Sequence, residues 1–93
     1  MKANIFLKVY RRVKSIPNGK VMTYGEIGKE IGVDPRIVGF ALHANKDINV
    51  PCHRVVNKEG RLAPNFVWDG WKEQKRRLLA EGIKFKDETH VIF

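Results

Sequence analysis

The single cysteine of the chain, Cys52, is followed directly by His53 and Arg54 in the segment Val-Pro-Cys-His-Arg-Val-Val of residues 50–56. A thiol is a weak nucleophile until it ionises, and with an ordinary pKa of about 8.5 only about 3 in 100 thiols are ionised at pH 7. A neighbouring imidazole and nearby positive charge raise that fraction. The segment therefore predicts nucleophilic chemistry at Cys52. On the thiol alone, the alternative of a small buried apolar residue stays open.

The composition narrows the class of protein. The chain has 93 residues, of which 43% are hydrophobic, and this suits one globular domain over residues 1–93. A single cysteine excludes an internal disulfide and is typical of a reducing compartment. No apolar run approaches the roughly 20 residues that span a bilayer, and charges interrupt the apolar part of the basic N-terminal stretch. We expect a cytoplasmic monomer without a membrane partner.

The charge balance indicates the kind of partner. The net charge is +8, from 18 lysines and arginines against 10 aspartates and glutamates. So strong a positive charge on a small domain favours a polyanion, and nucleic acid is the first candidate. The alternative is a basic soluble protein with no such partner.

A helix-turn-helix is predicted at about residues 24–45. The segment Thr-Tyr-Gly-Glu at 23–26 has the form of a capping box, so a helix should begin at Tyr24, and Gly32 is placed to end it. Asp34 is a natural N-cap and Pro35 a natural first residue for a second helix running to about Ala44. Two short helices joined by Gly-Val-Asp form this motif.

The second of these helices is the one that such motifs present to a DNA groove. Arg36 lies near its N-terminal end, and Gly39 and Ala41 are small enough to allow close approach. The helix lacks the Asn, Gln and multiple Arg side chains that usually read base edges. We therefore expect DNA binding with little sequence preference. The alternative is plain helical packing.

The remaining predicted elements complete a mostly α fold with a small β-hairpin, a winged helix-turn-helix-like single domain. The apolar spacing predicts a first helix, and turn residues between apolar runs predict the hairpin. Asp69 is placed to cap the last helix, and Gly82 to close it. The predicted elements are a helix at 4–15, a hairpin of 54–56 with 61–63 around a turn at 57–60, a helix at 70–81 and an extended tail at 83–93.

Five segments in order make the chain resemble the DNA-binding and active-site domain of the O6-alkylguanine-DNA alkyltransferases, also called methylated-DNA–protein-cysteine methyltransferases. The likeness runs from Phe6 to Gly82. The segments are Gly-Lys-Val-Met-Thr-Tyr-Gly at 19–25, Arg-Ile-Val-Gly at 36–39, Asn45, Pro-Cys-His-Arg-Val at 51–55 and Leu-Leu-Ala-Glu-Gly at 78–82.

The resemblance implies DNA repair by a single-turnover alkyl transfer. Cys52 would accept the alkyl group from guanine O6, and His53 would be its base through a water. Glu81 would orient His53, in the manner of a hydrolase triad. Tyr24 would crowd the target nucleotide and donate a hydrogen bond to the leaving guanine. Since nothing removes the thioether, each molecule would react once.

The resemblance also implies how DNA is held. Arg36 would enter the base stack after the target nucleotide is flipped out, because O6 lies within the duplex. The helix with Gly39 and Ala41 would enter the minor groove of double-stranded DNA containing O6-alkylguanine. Asn45 would be a hinge that ties this helix to the Cys loop, residues 50–56, by backbone hydrogen bonds. No cofactor is implied.

A metal site is not expected either. Cys52 and His53 are neighbours, and together with His43 they lack the ligand spacing that is typical of zinc. His43 and His90 match no role in the family and are expected to be solvated.

The sequence departs from the family after the hairpin. The segment at 63–71 lacks the Gly-Tyr-Ser-Gly-Gly type of loop, whose Tyr and Ser donate to guanine O6. Pro51, Phe66 and Trp68 are instead candidates for an apolar pocket wall. The usual N-terminal domain of the full-length alkyltransferases has no counterpart in this sequence.

This shortened plan also resembles the alkyltransferase-like proteins, which bind O6-alkylguanine without repairing it and pass the lesion to nucleotide excision repair. Those proteins typically have Trp in place of the acceptor cysteine. Cys52 favours transfer, whereas the short chain and the altered loop favour recognition alone. A third possibility is a small helix-turn-helix DNA-binding or regulatory protein without lesion chemistry.

Overall fold

Four helices and one short sheet make up the computed structural model, which describes the backbone of residues 2–93 and the side chains of residues 5–93. This mostly helical arrangement confirms the predicted fold class. No helix among the described residues is long and apolar enough to cross a membrane. The elements are α1 (Lys2–Lys14), β1 (Met22–Thr23), α2 (Tyr24–Ile31), α3 (Pro35–His43), a 3-10 turn (Cys52–Arg54), β2 (Val55–Val56) and α4 (Gly70–Ala80).

The predicted helix-turn-helix is confirmed with its capping residues. The Thr23 hydroxyl accepts from the Glu26 amide at 3.0 Å, and the Glu26 carboxylate accepts from the Thr23 amide at 2.8 Å. Gly32 ends α2 in the left-handed conformation, at φ 78°. Asp34 accepts from the Arg36 amide at 2.8 Å at the start of α3. These local bonds satisfy amide groups that a helix start leaves without partners, and they fix where α3 begins.

Gly28 of α2 packs closely against the turn that joins α2 to α3. A Cβ atom at Gly28 would lie 2.5 Å from the backbone oxygen of Val33, whereas one at Gly25 would be 3.9 Å from its nearest neighbour. We expect Gly28→Ala to lower the free energy of unfolding by about 2–3 kcal/mol, because backbone must move to admit the methyl group. Urea unfolding would measure this, with Gly25→Ala as the control in the same helix. Equal stability of the two variants would contradict it.

The sheet pairs differently from the predicted hairpin. β1 and β2 are parallel, with Met22 opposite Val55 and Thr23 opposite Val56. The turn at 57–60 forms, but Arg61 pairs in antiparallel fashion with His90 of the C-terminal tail. Both β2 valines are fully buried, and a strand that is covered on both faces suits a parallel partner inside the fold. The pairing places the start of α2 beside the strand that follows Cys52.

The core surrounds the cysteine. Its main cluster joins α1, α2 and α3 to the Cys loop, and a smaller cluster lies under α4 and the tail. The main cluster consists of Val9, Val13, Ile16, Ile27, Val38, Ala41, Leu42, Val50, Cys52, Val55 and Phe66. The smaller cluster consists of Val56, Leu62, Leu78 and Val91.

The start of α4 differs from the prediction. Asp69 occupies the N-cap position, but its backbone has φ 72° and its side chain makes no capping hydrogen bond, so the predicted cap is wrong. A side-chain cap normally has β-region backbone at this position, which the left-handed Asp69 does not provide. The helix ends at Ala80, and Glu81 follows it as the C-cap residue.

Candidate active site and nucleic-acid interface

Cys52 lies at the wall of a cavity of about 200 Å³ between the helix-turn-helix and the 63–67 segment that follows the turn at 57–60. The residue begins the 3-10 turn that follows Pro51, and it is only 4% exposed. The cavity is lined by Tyr24, Gly39, Leu42, His43, Cys52, Ala63, Pro64, Asn65, Phe66 and Val67.

Asn45 contacts the thiol directly. Its side-chain amide donates to Cys52 Sγ at 3.2 Å and to the backbone oxygen of Asp47 at 2.9 Å. Its oxygen accepts from the Asp47 amide at 3.0 Å. The resemblance pointed to backbone bonds at this residue, and the structure adds the bond to sulfur. Asn45 therefore joins the end of α3 to the nucleophile.

Burial sets the ionisation of the thiol. It raises the pKa of Cys52 to about 11, although the hydrogen bond from Asn45, a backbone hydrogen bond and the charge of Arg77 act in the opposite direction. At that pKa only about 1 in 10,000 thiols is ionised at pH 7. The free protein therefore holds Cys52 as a protected thiol, and reaction requires a proton acceptor.

This raised pKa gives a testable pH dependence. We expect the rate of Cys52 alkylation by iodoacetamide to rise about tenfold per pH unit from pH 7 to pH 10, because only the thiolate reacts. Free cysteine, the control, should level off above its pKa of about 8.5. Adduct mass against time at each pH would measure the two rates. A plateau for the protein near pH 9 would contradict the raised pKa.

Glu81 holds His53 and Arg54 together. His53 Nε2 lies 2.8 Å from Glu81 Oε2, and Arg54 donates to both carboxylate oxygens at 3.0 and 2.7 Å. Arg54 also donates to the backbone oxygen of Ile16 at 2.8 Å. Burial alone would raise the pKa of Glu81, but the hydrogen bonds from Arg54 and His53 outweigh it and lower this pKa to about 2.

This arrangement fixes the tautomer of His53. The ionised Glu81 can only accept, so His53 Nε2 carries the ring proton and donates it. Burial lowers the pKa of His53 and keeps the ring neutral, so Nδ1 has a free lone pair. Nδ1 is buried and has no hydrogen-bond partner among the described residues. A neutral imidazole with an available nitrogen can act as a base.

The cavity wall is more apolar than the family loop. Phe66 is 6% exposed and lines the cavity. The guanidinium of Arg77 stacks 5.5 Å from the centre of its ring and pairs with Glu73 at 2.7 Å. Neither Pro51 nor Trp68 is among the lining residues, so these two predicted wall positions are wrong. Trp68 instead packs against the main core cluster.

Gln74 connects three segments around the site. Its side chain is fully buried, and its amide donates to the backbone oxygens of His53 at 3.3 Å and Val55 at 3.0 Å. Its oxygen accepts from the Ala63 amide at 2.8 Å. The sequence analysis missed this residue, although its place between Trp71 and Leu78 at helical spacing puts it on the inward face of α4.

The helix-turn-helix brings some of the predicted DNA contacts to the surface. Arg36 has an 82% exposed side chain and pairs with Asp34 at 3.2 Å. An exposed pair of this kind contributes little to stability, so the guanidinium is free to change partners. Gly39 and Tyr24 line the cavity. Burial raises the pKa of the Tyr24 hydroxyl, which stays a proton donor.

Of two other residues of α3, Ala41 lies elsewhere than predicted and His43 has a contact that was not predicted. Ala41 is fully buried and its backbone oxygen accepts from the Tyr10 hydroxyl at 2.7 Å. The predicted DNA contact of Ala41 is therefore wrong, because two positions along a helix from Gly39 is about 200° around it. His43 is exposed, as expected, but it also lines the cavity.

The comparisons with known proteins bear on the domain as a whole. A family model described as 6-O-methylguanine DNA methyltransferase, DNA binding domain, matches residues 4–83. The alkyltransferase-like protein 1 of Schizosaccharomyces pombe is 42% identical over 82 residues, 85% of this chain and 76% of that protein. A methylated-DNA–protein-cysteine methyltransferase of Saccharolobus islandicus is 47% identical over 82 residues, 87% of this chain. This chain covers about half (52%) of that methyltransferase.

Solved structures show the same fold. The S. pombe alkyltransferase-like protein in complex with damaged DNA containing O6-carboxymethylguanine superposes with a TM-score of 0.82 at 36% identity, over 96% of this chain and 87% of that one. The O6-methylguanine methyltransferase of Mycobacterium tuberculosis gives a TM-score of 0.74 at 33% identity, over 84% and 48%. The chain therefore belongs to the 6-O-methylguanine DNA methyltransferase family, through its DNA-binding domain.

Proposed function

We propose that the protein repairs DNA by moving an alkyl group from O6 of guanine in duplex DNA to Sγ of Cys52, once per molecule. One observation carries the proposal. Glu81 holds the neutral His53 with its proton on Nε2, which leaves Nδ1 able to act as a base. His53 directly follows the buried Cys52 in the sequence. Related methyltransferases of other organisms have names that state this activity.

The residues of the site account for each step of the transfer. His53 Nδ1 takes the thiol proton through a water, and the sulfur attacks the alkyl carbon. The S–C bond forms as the C–O6 bond breaks, and the electron pair leaves with the guanine. The guanine takes up one proton from solvent, and His53 returns the thiol proton to solvent, so that the protons balance. The Tyr24 hydroxyl stabilises this leaving group by a hydrogen bond. Because the thioether is stable, the protein is consumed.

A proton acceptor matters here because of the thiol's pKa. With a pKa of about 11, forming the free thiolate at pH 7 costs about 5 kcal/mol. Proton transfer to His53 as the sulfur attacks avoids building up that free thiolate. Because burial lowers the pKa of His53, its ring is neutral at pH 7 and can accept the thiol proton.

The position of the cavity requires the target nucleotide to leave the base stack. Flipping costs a few kcal/mol, and a side chain that fills the gap offsets part of that cost. The exposed side chain of Arg36, at the start of α3, would fill the gap left by the flipped nucleotide. We propose that α3 lies in the minor groove, and the net charge of +8 supplies affinity for phosphates with little sequence preference.

Intact-mass measurement tests the proposal. On incubation with a duplex carrying one O6-methylguanine, we expect the protein to gain about 14 Da, a methyl group in place of the thiol hydrogen. Cys52→Ser and an undamaged duplex should show no gain. Absence of the mass increase in the unmodified protein, under conditions where it binds the duplex, would overturn the proposed transfer.

A second candidate is recognition of the lesion without transfer, for passage to nucleotide excision repair. The observation that favours it is the 63–71 loop, which offers the cavity Ala63, Pro64, Asn65, Phe66 and Val67 but no tyrosine or serine donor. Selective binding of the damaged duplex without any mass gain would establish this candidate. Equal binding of damaged and undamaged duplex would overturn both and leave a general DNA-binding protein.

A further inference from the structure

Phe40 is a large apolar side chain that the fold leaves uncovered. It is 62% exposed, and it lies four residues after Arg36 on α3, so the two side chains are neighbours on one face of the helix. The core face of α3 is formed by other residues, Val38, Ala41 and Leu42. Neither the reactive site nor the core therefore explains an aromatic residue at position 40.

The surface next to Phe40 is concave and apolar. A shallow hollow of about 410 Å³ is lined by Tyr24, Pro35, Arg36, Gly39 and Phe40. Tyr24 and Gly39 line both this hollow and the cavity that contains Cys52. The hollow and the reactive cavity therefore adjoin each other, and a duplex that reaches Cys52 over the start of α3 would lie close to Phe40.

We propose that Phe40 is an apolar wedge that enters the minor groove beside Arg36 and packs on the sugars and base edges next to the extruded nucleotide. The inference rests on the proposed function, since it takes duplex DNA as the molecule that α3 engages. Proteins that bind the minor groove often insert apolar side chains that unstack and bend the duplex. Phe40 would hold the groove open while Arg36 fills the vacated stack.

The spacing of Arg36 and Phe40 along α3 agrees with these two roles. Four residues of helix rise about 6 Å, so side chains this close together can reach neighbouring base pairs, which are about 3.4 Å apart. The strongly positive chain and the arginine beside the hollow favour a polyanion as its occupant. A protein partner seated on the hollow would also contact Tyr24 and Gly39 of the reactive cavity, and would compete with the lesion.

Replacing Phe40 with alanine tests the wedge. We expect Phe40→Ala to weaken binding of an O6-methylguanine duplex about tenfold, as about half of a phenylalanine side chain loses its contact. 2-Aminopurine next to the lesion should also brighten less on binding, because the duplex is opened less. Phe40→Leu should restore most of both signals. Leu79→Ala, which truncates a 52% exposed leucine of α4, is the matched control.

The dependence of affinity on salt separates the wedge from a phosphate contact. Phe40→Ala should leave the slope of log affinity against log salt unchanged, since no charge is lost. Binding within twofold of the unmodified protein, or an equal loss in Leu79→Ala, would overturn the wedge. The methyl-transfer assay on the unmodified protein reports separately on the proposed function, so the two can fail independently.

Discussion

Replacing Glu81 with alanine is expected to lower the free energy of unfolding by about 3–5 kcal/mol and to slow alkyl transfer more than a hundredfold. The substitution leaves Arg54 and His53 without their shared carboxylate, and their side chains are only 16% and 11% exposed. Removing one partner of a buried ion pair leaves the other charge uncompensated. Urea unfolding at pH 7 would measure the stability, and single-turnover mass increase would measure the rate.

Glu81→Gln separates the charge of Glu81 from its shape. The pKa of Glu81 in the folded protein, about 2, lies below its ordinary value of 4.5, so its contribution is complete above pH 4.5 and is lost as the pH falls through 2. This difference corresponds to about 3 kcal/mol. We expect the free energy of unfolding of Glu81→Gln to fall less steeply between pH 4.5 and pH 2 than that of the unmodified protein. Glu59→Gln, at an exposed position, should keep the steep fall. Identical acid profiles for both variants would contradict the assignment.

Replacing Asn45 with aspartate is expected to slow transfer more than a hundredfold with little change in shape. The Asn45 amide donates to Cys52 Sγ and to the Asp47 oxygen, and a carboxylate can donate to neither. It would also place a negative charge beside the sulfur, which must itself become negative as it reacts. Single-turnover rates measured by intact mass would show the effect.

Two matched variants interpret the Asn45 result. Asn45→Ala removes the hydrogen bonds without adding a charge, so its rate should lie between that of Asn45→Asp and that of the unmodified protein. Asn49→Asp adds the same charge at an exposed position of the same loop and should react at the unmodified rate. A wild-type rate in Asn45→Asp would show that the contact with sulfur has no part in the reaction.

The sequence predicted those features of the fold that depend on neighbouring residues. The capping box at Thr23 and Glu26 and the cap at Asp34 each lie within four residues of chain, so the helix-turn-helix could be placed before any tertiary contact was known. The pairing of β2 with β1 was not predicted. A local hairpin was the simpler expectation, but the burial of both valines in the core favoured the distant β1.

The residues of the site were also predicted only in part. Cys52 and His53 were evident from their types, and Glu81 entered through the family resemblance. The contact of Asn45 with sulfur spans 7 residues of chain, and that of Arg54 with Ile16 spans 38. The contacts of Gln74 with three backbone groups span 11 to 21 residues. Such bonds join side chains to distant atoms and leave no periodic pattern. Trp68 and Pro51 were misplaced because an aromatic or proline near the site need not face the cavity.

The buried Gln74 has a consequence for the motions of the protein. It bonds to His53 in the 3-10 turn, to Val55 in β2 and to Ala63 at the start of the cavity wall. A segment bonded in this way cannot open locally without breaking contacts in the others. The cavity wall and the nucleophile segment should therefore exchange their amide hydrogens as one cooperative unit, with the Ala63 amide as slow as those of the core. The exposed start of α3 at Arg36 makes no bond to Gln74 and can adapt to DNA while the thiol stays protected.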